Sequence, residues 1–212
     1  MWTLAVLAYD GDRAQHEVAQ PHWRVGAAPG RWDEMSSRRR ALDLISHSPE
    51  QTRSFGARLG RLARPGDVYL LRGPLGSGKT ALTQGIARGL GVEGYVQSPT
   101  FTLAAEHPAR SADGSGVTLY HLDLYRLESP GEVETFGYDE YLDDPHGIVV
   151  IEWPERAEAA MPEAFLLIEL EHLADAKRRL VLKPHGERYV TLVEELRAEV
   201  VGVRRGTAPA GD

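Results

Sequence analysis

The chain has no cysteine, only three lysines, and no apolar run near the roughly 20 residues that a membrane-spanning helix needs. Without cysteine there are no disulfides and no thiolate-held metal, which fits a reducing cytoplasm. The opening residues MWTLAVLAYDGD are briefly apolar, but they lack a basic start and meet Asp10 and Asp12 at once, so they make a poor signal peptide. Acidic residues outnumber basic ones, 31 to 24. A net charge of −7 argues against a protein that holds nucleic acid by itself, because phosphate contacts need clustered Lys and Arg. A role in a nucleic-acid pathway through partners stays open. No internal repeat is visible. What is present, 212 residues with 42% hydrophobic and 26% charged, suits one soluble globular domain or slightly more, expected in the cytoplasm.

Residues 1–40 differ from the rest. They hold three of the four tryptophans, a Gly/Pro-rich stretch from Val25 to Gly30 and the run Arg38-Arg39-Arg40, with no sustained period. They read as a poorly ordered extension, with a small basic docking arm as the functional alternative. From residue 41 to about 200 the pattern is regular and describes one domain, with a flexible tail at 201–212. Ala41 to His47 reads as a short strand. Ser48-Pro49-Glu50-Gln51 then offers a capping serine, a first-turn proline and a glutamine at the capping-box position. Thr52, Phe55, Leu59 and Leu62 follow at helical spacing until Pro65-Gly66. Asp67 to Arg72 is an apolar strand, and Leu82, Ile86 and Leu90 mark a helix face closed by Gly91. Further strands are expected at Phe101–Glu106, Val117–Asp123 and Gly147–Glu152, with a polar loop from Pro108 to Gly116. Helical turns are expected over Pro130–Leu142 and Pro154–Ala160. An antiparallel pair follows at Ala164–His172 and Arg178–Pro184, then a helix carrying Tyr189, Leu192, Val193 and Leu196. Strands alternating with helices imply an α/β fold of three layers, with a mainly parallel sheet and a C-terminal antiparallel strand pair.

Between strand and helix lies Gly73-Pro74-Leu75-Gly76-Ser77-Gly78-Lys79-Thr80, a full match to the phosphate-loop pattern G-x-x-x-x-G-K-[ST]. Glycines allow main-chain N–H groups to turn inward around phosphate oxygens, and the helix that begins at Lys79 points its positive end at them. Lys79 can reach the β- and γ-phosphates, and the Thr80 hydroxyl can ligate magnesium. With lysine so scarce, its presence at this slot is a specific signal. The binding set expected is Gly73, Gly76, Ser77, Gly78, Lys79, Thr80 and Ala81, with ATP and Mg2+ as ligands.

Such a site also needs an acid for the metal and a group that orients water. In open parallel sheets these lie at the carboxyl ends of strands. Asp123 and Glu152 both end apolar strands, and spacing does not say which takes which task. Ser98-Pro99-Thr100 sits where a γ-phosphate sensor would lie, although on sequence logic alone a plain turn before a strand is the better reading. His121 reads as a packed strand residue, and the acidic stretch from Glu128 to Asp144 as a solvated surface.

At these residues the chain resembles the TsaE (formerly YjeE) family, small P-loop ATPases of bacterial tRNA threonylcarbamoyladenosine (t6A) synthesis. The segments GPLGSGKTALTQGIARGLGV, SPTFTL, YHLDLYRLESPGEVETFGYDEYL and IEWPERA carry the resemblance in order, over roughly residues 45–185. The resemblance implies that Lys79 holds ATP phosphates, that Thr80 and Glu152 bind magnesium, and that Asp123 is a catalytic aspartate acting on water. It places Thr100 in a switch-like loop, gives Trp153 a packing or partner contact, and puts the adenine near Ser48 to Thr52. It further implies an ATPase that is weak alone and works with the TsaD and TsaB proteins, meeting tRNA indirectly through that complex and needing no membrane. Pro74 departs from the acidic residue usual at that slot, and residues 1–40 have no family counterpart. Two other classes fit a P-loop chain of this size: a small-molecule kinase, for which the acidic stretch with mainly Arg126 is a poor lid, and a nucleotide-binding scaffold without turnover.

Overall fold

A computed structural model of the chain describes residues 40–201. The expected extension lies outside the described residues except for Arg40, as does the tail beyond Val201. Seven strands form one sheet: β1 (Leu42–Ser46), β2 (Val68–Arg72), β3 (Ala104–Arg110), β4 (Gly116–Asp123), β5 (Gly147–Glu152), β6 (Phe165–His172) and β7 (Arg178–His185). Four α-helices accompany them: α1 (Pro49–Leu62), α2 (Lys79–Gly89), α3 (Tyr138–Asp143) and α4 (Glu187–Val201). Among the described residues lie two further 3-10 stretches, Pro130–Phe136 and Pro154–Ala160.

The sheet order is β1-β7-β6-β2-β5-β4-β3. The central pairings β4–β5, β5–β2 and β2–β6 are parallel, while β6–β7, β7–β1 and β4–β3 are antiparallel. The α/β fold and the C-terminal antiparallel pair agree with the sequence, and the parallel strands occupy the middle of a mixed sheet. Every residue of β2 and β5 is buried, as expected of strands covered on both faces. Their alternation supplies two cores. Tyr69 and Leu71 of β2 face α1, α2 and α4, packing with Phe55, Leu82, Ile86 and Leu192. Val68 and Leu70 face the short helical pieces, with Val133, Tyr138 and Ala157.

Local chemistry sets the helix ends. Ser48 is extended, and its hydroxyl accepts from Gln51 N at 3.1 Å, with Pro49 at the first turn. The Gln51 side chain reaches one residue further back and accepts from His47 N at 2.6 Å. The expected helical stretch 130–142 is broken at Gly137, which is left-handed at φ 75°. At the other end of the fold, Arg188 of α4 donates to both oxygens of Asp67 and to Leu62 O, while the Tyr189 hydroxyl accepts from Val68 N. This clasp ties the last helix to the start of β2.

One expectation is corrected. The strand read at Phe101–Glu106 runs instead over Ala104–Arg110, and the polar loop read at Pro108–Gly116 shrinks to 111–115. Thr102 N and Leu103 N both fold back onto Pro99 O, and Leu103 is left-handed at φ 64°, so the chain straightens only after it. Pro108 and its polar neighbours are tolerated because β3 is an edge strand.

Helices α1 and α2 approach as closely as backbones can. A Cβ on Gly56 would lie 2.3 Å from Leu82 O, on Gly60 2.2 Å from Ile86 O, on Gly85 2.2 Å from Arg53 O, and on Gly89 2.3 Å from Ala57 O. Two interlocked glycine pairs thus press α1 against the helix that opens at the phosphate loop. Overpacking at such a contact costs about 2–3 kcal/mol, so Gly85→Ala is expected to lower the melting temperature by at least roughly 5 °C in calorimetry. Gly131→Ala, where a Cβ meets nothing within 4 Å, is expected to stay within about 0.5 kcal/mol of the parent.

Candidate functional site

Strand β2 delivers the chain at its carboxyl end into the loop 73–78, and α2 begins at Lys79. The loop takes this path because of its glycines. Gly76 and Gly78 are left-handed, at φ 75° and 104°, and a Cβ on Gly73 would lie 2.3 Å from Leu170 O of the adjoining strand β6. Gly78 caps α2 with no side-chain bond, leaving the first amides of the helix open to an anion. The hairpin β6–β7 leans on the outside of the loop: Arg178 donates to Gly76 O at 3.4 Å, and the His172 ring lies 3.5 Å from Leu75 O. On the inside, Ser77 is fully buried and its hydroxyl meets no partner among the described residues.

Lys79 is only 4% exposed. Its ammonium donates to the loop's own carbonyls, Gly73 O at 2.8 Å and Pro74 O at 3.1 Å, and stands 3.7 Å above the centre of the Trp153 ring. Burial lowers its pKa, opposed by the carboxylates of Glu152, Glu155 and Asp123. The cation is therefore held close to where a phosphate would sit, and by contacts that a phosphate could replace.

The parallel register brings the acids to it. Asp123 of β4 pairs with Glu152 of β5, and Glu152 pairs with Leu71 of β2, two residues before the loop. Neighbours in one row share a face of the sheet, so both carboxylates project on the side of α2. Glu152 is 2% exposed and Asp123 3%. The Thr80 hydroxyl donates to Glu152 Oε2 at 3.3 Å, and Glu152 Oε1 lies 2.9 Å from His121 Nε2. Asp123 faces a different set. Its Oδ2 accepts from Ser98 Oγ and, at 2.6 Å, from Thr100 Oγ1, while Oδ1 accepts from Tyr125 N at 3.0 Å. The two acids, equivalent by spacing alone, have separate surroundings: one beside the loop threonine, the other beside the Ser98–Thr100 segment.

The structure thus gathers Lys79, Thr80, Glu152, Asp123 and Thr100 in one region. It adds groups that sequence reasoning valued too little. His121 is a buried partner of Glu152, and alternation along β4, which puts His121 on the same face as Asp123, was the available signal. Trp153 is left-handed at φ 61°, unusual for a bulky residue, and its N–H bonds Leu71 O at 3.2 Å. Its ring contacts both Lys79 and Tyr125, whose ring centre is 4.9 Å away. Leu75 of the loop, Tyr95 and Phe101 are 73%, 75% and 83% exposed, with Arg126 stacked over Phe101 at 4.2 Å.

Chemically, Thr80 and Glu152 are hard oxygen donors placed together. Among the described residues no group of three or more His, Cys, Asp or Glu side chains could hold a metal by itself. A sparse oxygen set of this kind suits magnesium, which keeps several waters and takes further ligands from substrate phosphates.

The family described as threonylcarbamoyl adenosine biosynthesis protein TsaE matches residues 46–180. The tRNA threonylcarbamoyladenosine biosynthesis protein TsaE of Bacillus subtilis is 40% identical over 149 residues, covering 70% of this chain and 89% of that protein. Its namesake in Treponema pallidum is 39% identical over 141 residues, covering 66% of this chain and 99% of that protein. The crystal structure of Bacillus subtilis YdiB superposes with a TM-score of 0.63 at 34% identity, covering 75% of this chain and 95% of that one. No helix among the described residues is long and apolar enough to cross a membrane. With a match across well over half its length and relatives at this identity, the chain belongs to the TsaE family.

Proposed function

We propose that this chain binds ATP with Mg2+ at the loop 73–80 and hydrolyses it, as the ATPase component of a tRNA t6A-modifying machinery in the cytoplasm. The observation that carries the reading is the Thr80–Glu152 pair lying beside the self-held Lys79. Main-chain amides of Gly76, Ser77, Gly78, Thr80 and Ala81 would receive the phosphate oxygens, with the buried Ser77 hydroxyl a further donor. Lys79 would exchange the Gly73 and Pro74 carbonyls for β- and γ-phosphate oxygens. Thr80 and Glu152 would hold the magnesium ion, which when bound neutralises charge on those same oxygens. The adenine would lie on the side of Thr52, whose methyl group is within 4 Å of a Cβ built on Gly78.

Asp123 would orient the attacking water. A carboxylate oxygen accepts two hydrogen bonds, so Oδ1 keeps a free lone pair beside the Tyr125 amide. The water oxygen would bond to the γ-phosphorus as the bridging P–O bond breaks, and the surplus proton would leave on the released phosphate. Thr100, now bonded to Asp123, would turn toward the γ-phosphate and free that carboxylate for water. The exposed Leu75, Tyr95 and Phe101 suit docking of protein partners, for which the family resemblance nominates TsaD and TsaB, with tRNA met through them. The net charge of −7 supports that indirect route.

Removing the ammonium deletes a charge-assisted contact of about 1.5–3 kcal/mol, so Lys79→Ala is expected to weaken ATP binding roughly 10- to 100-fold in calorimetric titration. Glu152→Ala is expected to cut Mg2+-dependent hydrolysis by at least about 100-fold while ADP still binds without Mg2+, since it removes one metal ligand and no phosphate donor. Normal hydrolysis in Glu152→Ala would overturn the metal assignment. Phosphate release at background level with TsaB, TsaD and tRNA all present would favour the scaffold reading instead. Nucleotide should also draw Lys79 off the Trp153 ring and change its emission. That change should vanish in Trp153→Phe, which separates it from the three tryptophans at positions 2, 23 and 32. An identical change in Trp153→Phe would show that the lysine does not move.

A further inference from the structure

His121 has no assigned part in the reaction, yet among the described residues it is, with Thr80, one of the two side chains hydrogen-bonded to Glu152. It is completely buried on β4, two residues before Asp123 and on the same face. In the parallel register His121 lies beside Val150, so its ring reaches diagonally to Glu152, where Nε2 stands 2.9 Å from Oε1. A carboxylate only accepts hydrogen bonds, so Nε2 carries the proton and donates. The other ring nitrogen, Nδ1, is buried and has no partner among the described residues. The ring therefore makes one polar contact in the described structure, and that contact is to the acid.

The consequence falls on the second oxygen. With Oε1 held by the ring, Oε2 is the oxygen left to face the Thr80 hydroxyl, at 3.3 Å. A glutamate has three side-chain torsions and a cationic neighbour, Lys79, whose charge it feels. Without the ring, the carboxylate would be free to rotate toward that ammonium and away from Thr80. We propose that His121 is a positioning residue: by donating to Glu152 Oε1 it holds Oε2 beside Thr80, so that the two oxygens present a preset half-shell to the divalent cation. The inference rests on the reading of Glu152 as the magnesium ligand. Groups that orient a ligand in this way commonly change metal affinity without touching the metal.

The test uses Mn2+ as a magnetic stand-in for Mg2+, titrated into the full-length chain saturated with ADP, with free Mn2+ read by electron paramagnetic resonance. Four variants are compared. His121→Leu fills the space and removes the donor, His121→Gln carries an amide N–H to about the reach of Nε2, His121→Asn carries one too short to reach, and Glu152→Gln tests the ligand itself. His121→Leu is expected to weaken Mn2+ binding about tenfold, with His121→Gln within roughly threefold of the parent, in line with the effects of such supporting contacts. Should His121→Leu fail to fold by circular dichroism, His121→Asn read against His121→Gln makes the same comparison. Parent-like Mn2+ binding in the variant lacking the donor, or His121→Gln no better than that variant, would overturn the inference. If Glu152→Gln itself binds Mn2+ like the parent, the metal assignment under Proposed function falls. If Glu152→Gln loses the ion while the donor-less variant keeps it, only the role of His121 falls.

Discussion

Parallel pairing of β4, β5 and β2 is the constraint on which the site depends. It lays Asp123, Glu152 and Leu71 in one row, with the phosphate loop starting two residues further on. Nothing in the chain's local sequence joins these three points, which lie up to 81 positions apart. The hydrogen-bond ladder joins them, and it does so only because β2 and β5 are apolar enough to be buried on both faces. A slip of one residue would turn Asp123 and Glu152 away from α2. Burial of the strand centres is thus also the device that aims their terminal acids.

The second support is the fit between α1 and α2. An anion site at a helix N-terminus is useful only if that helix cannot shift, and α2 carries no capping side chain of its own. Its position is set along its length instead, by backbone against backbone at Gly56, Gly60, Gly85 and Gly89. Those glycines weaken helix propensity by about 1 kcal/mol each relative to alanine. The close packing they allow is what offsets that cost. The clasp from Arg188 and Tyr189 onto Asp67 and Val68 does the same for β2 at the opposite end of the sheet.

How much of this was legible depended on whether the information was contiguous. The phosphate loop was readable because its chemistry is written in eight consecutive residues between a strand and a helix. Asp123 and Glu152 were readable as strand-end acids, because apolar runs precede both. Their different surroundings were not readable from spacing, since these come from what crosses to them: Thr80 and His121 to one, Ser98 and Thr100 to the other. His121 looked like packing because its partner is on a neighbouring strand, and only register puts the two within reach. The same limit hid the glycine pairs of α1 and α2, each of which reads alone as a mild helix weakener. At β3 the difficulty was of another kind. Polar residues and a proline usually mark a loop, and an edge strand tolerates both.

Lys79 joins these threads. A buried ammonium needs compensation, and here it comes from two carbonyls of the loop, the face of an indole and the field of nearby acids. Had Glu152 paired with it directly, the ion pair would have had to break before a phosphate could enter, at the expense of both partners. Tying one oxygen of Glu152 to His121 and leaving the other to Thr80 keeps the acid otherwise engaged. The lysine then rests on neutral groups, which a phosphate oxygen, carrying full charge, displaces more readily than it would a carboxylate. The arrangement of neutral holders around the cation, and of hydroxyls and an imidazole around the acids, lets buried opposite charges stand close together without cancelling each other in advance.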